Sequence, residues 1–258
     1  FSVVLSDPGN ADILVSSAEA TITNDDVALR VEAVNADHAE GDTGLSAFTF
    51  RVVRTGDTSG TSMVDWSVLG TGDFRVDASD FAGNVLPSGS LTFTAGQSEQ
   101  LITVQVQTDA IAGQDEHFLV HLSNPTGGDI IASDAEGIVR NDDSEVAIQP
   151  SVASVTEGNS GTVELRYTIT RSGDLTRTAS VGWQVAGFGE HAANAADFAG
   201  GALPSGTVNF AVGEASREIV VTVAGDTLAE STEQLRVQLV NPGSNVTIAP
   251  PARPGSRA

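Results

Sequence analysis

The sequence contains no cysteine and no lysine, so all 12 of its basic residues are arginine. Without cysteine the chain can form neither disulfides nor zinc–thiolate sites, and thiol catalysis is excluded. A bound metal would therefore need oxygen or histidine ligands. No apolar run reaches the roughly 18 residues of a membrane-spanning helix, so we expect no direct membrane insertion.

Basic residues are scarce relative to acidic ones, with 12 against 34 and a net charge of -22. A surface of this sign repels phosphate backbones, because nucleic-acid binding depends on Lys and Arg neutralising phosphates. We therefore expect no nucleic-acid partner. The acidic excess has two interpretations, a solvated surface or carboxylates gathered as ligands for hard cations. The positions of the acidic residues along the chain distinguish between the two interpretations.

Long periodic helix patterns are also missing, and short alternating runs take their place. Phe48, Phe50 and Val52 lie two residues apart, as do Ile102, Val104 and Val106, and this period places each set on one face of a strand. Turn residues separate the runs. The pattern predicts an all-β chain of antiparallel immunoglobulin-like sandwiches, with about seven strands in each.

The sequence repeats itself at a spacing of 117 residues without gaps. This offset relates Trp66 to Trp183, Pro87 to Pro204, Glu40 to Glu157, Asp80 to Asp197, and Asp25-Asp26 to Asp142-Asp143. Internal repeats set domain boundaries before any local motif does. We predict the C-terminal strands of a preceding repeat at 1–26, a complete repeat at 27–143, a repeat lacking its last strand at 144–249 and a disordered tail at 250–258.

Almost no linker separates these units, so we expect neighbouring sandwiches to be held end to end as a stiff rod. The sequence opens on Phe1 within a strand pattern, which suggests a fragment of a longer protein.

Acidic residues of the complete repeat cluster in its turns. They are Glu40, Asp80, Asp109, Glu116, Asp142 and Asp143. In a two-sheet Greek key, loops that are distant in sequence meet at one end of the sandwich, so these groups can converge. Carboxylates packed closely repel one another unless a cation lies between them.

Three ordered motifs, each present in both repeats or at both repeat ends, resemble a known family. The most specific is the stretch Asp109-Ala-Ile-Ala-Gly-Gln-Asp-Glu-His-Phe-Leu-Val-His-Leu-Ser-Asn-Pro, an acidic loop that runs into a strand. The others are Ser79-Asp-Phe, followed by Gly89-Ser-Leu-Thr-Phe-Thr-Ala-Gly, and the run Asn141-Asp-Asp. Together they are similar to Calx-beta repeats, which occur in sodium/calcium exchangers, in an integrin subunit and in large bacterial surface proteins.

The resemblance implies calcium as the cofactor, bound at one tip of each sandwich. In the complete repeat the implied ligands are Glu40, Asp80, Asp109, Glu116, Asp142 and Asp143, with the main-chain carbonyl of Ile111. In the following repeat they are Glu157, Asp197, Asp226, Glu230 and Glu233, with Leu228 at the position of Ile111. Asp25 and Asp26 are the corresponding terminal pair of the preceding repeat.

Two departures from the family pattern bear on these sites. Gly113 stands where the next repeat has the acidic Glu230, which predicts fewer or weaker ions in the complete repeat. The last repeat has no acidic terminal run, so we expect its site to be incomplete on its own.

No catalytic constellation accompanies the four histidines, and we expect no enzyme activity. The leading interpretation is a calcium-binding structural and adhesive module of a large extracellular or cell-surface protein, secreted and of bacterial type. Its partners would be calcium ions and neighbouring repeats, with the ions stiffening the junctions. Two alternatives remain: a filament subunit in which residues 18–24 of one copy complete the next copy's sandwich head to tail, and accessory domains of a secreted enzyme.

Overall fold

The computed structural model describes residues 1–152 and 154–250. Its strands are β1 (Ser2–Val4), β2 (Ser17–Glu19), β3 (Val27–Asn35), β4 (Asp37–Ala39), β5 (Leu45–Gly56), β6 (Ser62–Gly70), β7 (Ser88–Phe93), β8 (Glu99–Gln107), β9 (Glu116–Thr126), β10 (Asp129–Ala132), β11 (Asp134–Arg140), β12 (Ser144–Pro150), β13 (Thr162–Gly173), β14 (Ala179–Gly187), β15 (Ser205–Phe210), β16 (Ser216–Ala224), β17 (Leu235–Val240) and β18 (Val246–Ile248). Single-turn 3₁₀ helices lie at Ala78–Asp80 and Ala195–Asp197. None of the helices in this part of the chain has the length and apolar character needed to cross a membrane.

The first repeat is a sandwich of a four-stranded and a five-stranded sheet. Their orders are β10-β3-β5-β8 and β4-β11-β9-β6-β7. Its nine strands exceed the predicted seven, because the first strand breaks at Ala36 and continues as β4 in the opposite sheet, and because β10 adds a short edge. Both additions pair in parallel, β4 with β11 and β10 with β3, while the other pairs are antiparallel.

Alternating residues of the two sheets fill the interior of this sandwich, as the sequence predicts. Phe48, Phe50 and Val52 are all fully buried. Phe118 packs edge-on against Phe48, Phe50 and Phe81, with ring centroids 5.8, 5.7 and 6.0 Å apart. Burying a phenylalanine contributes roughly 1.5–3 kcal/mol, so this group of rings anchors the end of the sandwich that carries the acidic loops.

The second repeat copies this arrangement with sheets β16-β13-β12-β18 and β15-β14-β17. Ile169, Val181 and Phe210 are buried between them. β18 pairs in parallel with β12, as β10 does with β3. The position corresponding to β11 falls at residues 251–257, which lie outside the described residues, as does most of the tail predicted at 250–258.

Residues 1–26 form a separate element. β1 and β2 pair antiparallel with each other, and in the described part of the chain neither pairs with any other strand. Apart from half-buried Ile13, every residue of this segment is exposed.

Candidate metal centre

The topology of the first repeat brings three acidic loops to one end of the sandwich. Glu40 follows β4, Asp109 follows β8, Glu116 opens β9, and Asp142 and Asp143 join β11 to β12. β11 lies between β4 and β9 in the sheet, and the N–H of Glu40 donates to the carbonyl of Arg140 over 3.1 Å. Strand pairing therefore fixes groups that are more than 100 residues apart in sequence.

Carboxylate oxygens of Glu40, Asp109 and Asp143 all lie within 4.8 Å of one another. No arginine, lysine or histidine of the described chain forms an ion pair with any of these three groups. Three carboxylates at this spacing repel one another when ionised, and the repulsion is strong where water is excluded. The arrangement requires either protons or a cation to offset this charge.

Asp143 is the most constrained member of the cluster. The residue is fully buried, and neither of its carboxylate oxygens has a hydrogen-bond donor among the described residues. Burial, together with the charges of Asp142, Asp42 and Asp109, raises the pKa of Asp143 to about 6. A buried carboxylate without donors is costly, so its two oxygens are available ligands with no competing partner.

Two glutamates of the cluster are perturbed further. Burial raises the pKa of Glu40 to about 8, with the charges of Asp109 and Asp143 adding to the shift. Burial also raises the pKa of Glu116 to about 7, assisted by Asp80 and Asp77. Clustered, raised carboxyl pKa values of this kind mark functional sites more often than ordinary surface.

Local turns hold the remaining predicted ligands. Asp80 ends the first 3₁₀ helix, and its carboxylate accepts the N–H of Asp77 over 2.5 Å. The Asp109 carboxylate accepts the N–H of Ile111 over 2.6 Å, which fixes the acidic loop as an Asx turn. Burial raises the pKa of Asp80 as well. The Ile111 side chain is an exposed hydrocarbon without a ligand atom, so any contribution to the site comes from its main-chain carbonyl.

Asp142 differs from its neighbour because it has two partners. One oxygen accepts the N–H of Gly41 over 3.1 Å, and the other accepts from Arg177 of the second repeat. Gly41 has a φ of 88°, a left-handed conformation that glycine adopts without strain. The Asp142 side chain is only 5% exposed. The acidic cluster is therefore tied directly to the following sandwich.

A buried arginine fixes the loop that presents Arg177. Arg171 donates to the carbonyls of Asp174 and Arg177 over 2.6 and 2.9 Å, and to the Ser144 hydroxyl over 2.9 Å. The N–H of Asp174 in turn donates to the carbonyl of Asp143 over 2.8 Å. The junction between the repeats is thus built on the same two residues that end the acidic cluster.

The sequence interpretation missed two acidic members of this end of the sandwich, Asp42 and Asp77. The charge of Asp42 raises the pKa of Asp143, and that of Asp77 raises the pKa of Glu116. At the corresponding positions the second repeat has Asn159 and Asn194. Comparison of the two repeats therefore did not mark Asp42 and Asp77 as acidic positions, although an asparagine side chain also carries an oxygen ligand.

The second repeat assembles a related cluster from Asp197, Glu230 and Glu233, whose carboxylate oxygens also lie within 4.8 Å of one another. Burial, with Asp197 next in effect, raises the pKa of Glu233 to about 7. Burial and the charge of Asp226 raise the pKa of Glu230, and the charge of Glu157 adds to the pKa shifts of both Glu230 and Glu233.

Leu228 repeats the arrangement of Ile111. Its N–H donates to the Asp226 carboxylate over 2.7 Å and its side chain is exposed. A cavity of about 500 Å³ is lined by four of the predicted ligands in this repeat, Glu157, Asp197, Glu230 and Glu233. No aspartate pair equivalent to Asp142-Asp143 joins them within the described residues.

Asp25 and Asp26 are not brought to any acidic cluster of the described chain. Both are exposed, and the carbonyl of Asp26 accepts the N–H of Asp57 over 3.1 Å. This contact copies the one between Asp143 and Asp174. In the described chain this pair therefore contacts the first repeat through its main chain, and its carboxylates stand apart from the acidic clusters.

The donor set of the first cluster fits calcium. Ca²⁺ takes six to eight oxygen ligands in flexible geometry, and it prefers carboxylates and main-chain carbonyls. Glu40, Asp109 and Asp143 supply carboxylates within reach of one ion, and both oxygens of Asp143 lack any competing hydrogen-bond donor among the described residues. Soft metals are disfavoured because neither thiolate nor imidazole lies in the cluster.

Two antiparallel sandwiches joined end to end, each with acidic loops gathered at one tip, define a tandem β-sandwich repeat protein. The Calx-beta domain model matches residues 23–143 and 139–253, and the chain belongs to the Calx-beta family.

Solved structures similar to this chain include the apo form of the Calx CBD1 domain, at 25% identity over 45% of this chain and 98% of that one, with a TM-score of 0.39. Another is CBD12 from CALX1.2, at 23% identity over 83% of this chain and 80% of that one, with a TM-score of 0.41.

Proposed function

We propose that this chain is a calcium-binding structural module of an extracellular, adhesive surface protein, and that it has no catalytic role. Calcium would bind at the loop tips of each repeat and stiffen the junction between them. The observation that carries the proposal is Asp143, whose buried carboxylate has two oxygens without donors beside Glu40 and Asp109.

Glu40, Asp109 and Asp143 would hold the ion in the first repeat, with Glu116, Asp80 and Asp142 around them. When bound, the ion supplies positive charge that replaces the protons held by the carboxyl groups whose pKa values are raised. The protein's own contribution is to hold those carboxylates in place through strand pairing and Asx turns. Asp143 also bonds to the second repeat through its carbonyl, so fixing its side chain restrains the junction.

Stiffening follows from this shared residue. Without the ion, mutual repulsion favours loop conformations in which Asp142 and Asp143 separate from Glu40 and Asp109. With the ion bound, the loop that begins the second repeat is held in one place.

The surface location is supported by the acidic surface and the tandem sandwiches. Antibody labelling of intact source cells tests it, and labelling seen only after permeabilisation would contradict it.

Thermal unfolding with calcium and with a chelator tests the binding proposal. An ion that binds only the folded state stabilises it by about 2.7 kcal/mol at 100 times its dissociation constant. We expect the unfolding midpoint to rise by several degrees in calcium. Asp143→Asn should abolish most of the rise, whereas Asp129→Asn, an exposed change on β10, should retain it. Equal midpoints with calcium and with chelator would refute the proposal.

A further inference from the structure

The side chain of Asn141 bridges two segments of the first metal centre. Its Oδ1 accepts the N–H of Gly113 in the acidic loop over 2.8 Å, and its Nδ2 donates to the carbonyl of Asp143 over 3.0 Å. The main-chain N–H of Asn141 donates to the Asp115 carboxylate over 3.0 Å. One half-buried carboxamide therefore joins the loop that carries Asp109 to the run that carries Asp143.

Short stretches of chain connect this bridge to two of the proposed ligands. The Asp109 carboxylate accepts the N–H of Ile111 over 2.6 Å, and Gly113 follows two residues later. Asp143 follows Asn141 by the same number of residues. A shift of the carboxamide therefore changes the separation of the Asp109 and Asp143 carboxylates, whose oxygens lie within 4.8 Å of each other.

The bond from the carboxamide to the carbonyl two residues later is a local property of the Asn-Asp-Asp run. Asn24 donates in the same way to the carbonyl of Asp26 over 3.3 Å. Asparagine side chains readily bond to main-chain groups two residues along the chain, because the short carboxamide reaches them. In the first metal centre this local bond orients the Asn141 carboxamide so that its Oδ1 faces the N–H of Gly113.

The acidic loop uses position 113 differently in the two repeats. In the second repeat the corresponding Glu230 supplies a carboxylate to the cluster with Asp197 and Glu233. In the first repeat Gly113 supplies its N–H to Asn141 instead. A Cβ on Gly113 would lie 3.8 Å from the Asn141 Oδ1, an ordinary contact, so crowding does not explain the glycine. The first repeat therefore has a main-chain bond to Asn141 where the second repeat has a carboxylate.

We propose that Asn141 is a positioning residue of the first metal centre: its carboxamide holds the acidic loop against the terminal run so that Asp109 and Asp143 reach one ion. The inference rests on the proposed calcium function. Asn141 does not itself ligate, because both polar atoms of its carboxamide are engaged with main-chain partners. Replacing a residue that orients metal ligands typically weakens metal binding by about 10–100-fold.

Hydrogen exchange at the Gly113 N–H tests the bridge without calcium. In chelator, exchange should be at least about tenfold faster in Asn141→Ala than in the natural chain, because the variant lacks the acceptor that protects this amide. It should stay slow in Asn141→Asp, whose carboxylate keeps an acceptor oxygen in the same place. Equal exchange rates in the natural chain and in Asn141→Ala would overturn the bridge.

Calcium affinity measured well below the unfolding midpoint tests the positioning role. All chains are folded under that condition, so a loss of stability alone leaves the dissociation constant unchanged. Asn141→Ala should weaken binding by about tenfold or more, and so should Asn141→Ser, whose hydroxyl is too short to span both partners. Asn209→Ala, a change at an exposed asparagine of β15, is the matched control and should bind as the natural chain does.

A double-mutant cycle links the effect to the proposed ligand. In the Asp143→Asn background, the further change Asn141→Ala should weaken binding by a much smaller factor, because the carboxylate that Asn141 positions is already gone. An equal factor in both backgrounds would overturn the positioning role, since it would show that Asn141 acts independently of Asp143.

The calcium measurements also separate this inference from the proposed function. Uptake by the natural chain, with the same dissociation constant for Asn141→Ala, would overturn the positioning role and leave the calcium function standing. No uptake by the natural chain would overturn both.

Discussion

Arg177 of the second sandwich donates to the carboxylate of Asp142, a member of the acidic cluster of the first. The guanidinium is about half exposed, while the Asp142 side chain is almost completely buried. The corresponding position of the first repeat is Gly60, which has no side chain to make such a contact. The junction between the two repeats therefore has a cationic contact that a glycine at the corresponding position cannot make.

Replacement of Arg177 by alanine should destabilise the calcium-free chain by about 1–2 kcal/mol, because Asp142 loses one of its two donors in a buried position. Calcium should reduce this cost, since the ion neutralises the same group of carboxylates. Denaturant unfolding in chelator and in calcium measures both values.

The matched control is Arg217→Ala, which removes an arginine of equal exposure from its pair with Glu214. Its cost should be below about 1 kcal/mol and the same in both solutions. A calcium-independent cost for Arg177→Ala would show that Asp142 plays no part in the cation site.

The stability of the calcium-free chain should fall as pH rises from about 5 to about 8. Glu40 has a folded pKa of about 8 against an ordinary value of 4.5, so the folded state holds this proton more tightly than the unfolded state. The stabilisation is complete below the ordinary pKa and is lost as pH rises through the folded value. Glu116, at about 7, and Asp143, at about 6, act in the same direction.

Urea midpoints measured in chelator over this pH range check the prediction, with Glu40→Gln expected to flatten the profile. Calcium affinity should show the opposite trend and rise with pH, because the ion binds the deprotonated carboxylates. A urea midpoint that increases towards pH 8 in the presence of chelator would contradict the assigned burial of Glu40.

Substitution of Gly137 by alanine should destabilise the first repeat by about 1–3 kcal/mol, because the added methyl group meets the ring of Phe118 in a filled core. Phe118→Leu should relieve the clash while costing some packing of its own. In a double-mutant cycle, the combined change should cost less than the sum of the two. Strict additivity would show that the two residues do not touch.

The core was predictable from sequence because its signal is local. The two-residue period of Phe48, Phe50 and Val52 fixes their face, and the structure buries all three. The breaking of the first strand at Ala36 was not predictable, because β3 and β4 read as one continuous extended run. One of the two extra strands, β4, follows from that change of sheet.

The candidate site was predictable through internal repetition and family resemblance, since spacing alone does not join Glu40 to Asp143. Residues that depart from the repeat were missed for the same reason. Asp42 and Asp77 are replaced by asparagine in the second copy, and Arg177 by glycine in the first. Arg177 also acts across a domain boundary, which only the packed structure defines.

Calcium uptake by Asp143→Asn, compared with the natural chain and with Asp129→Asn, tests the central claim most directly. Equilibrium dialysis at neutral pH should give saturable binding to the natural chain, unchanged binding to Asp129→Asn, and at least about tenfold weaker binding to Asp143→Asn, a difference of about 1.4 kcal/mol. Equal binding by all three chains, or no uptake by the natural one, would contradict the account.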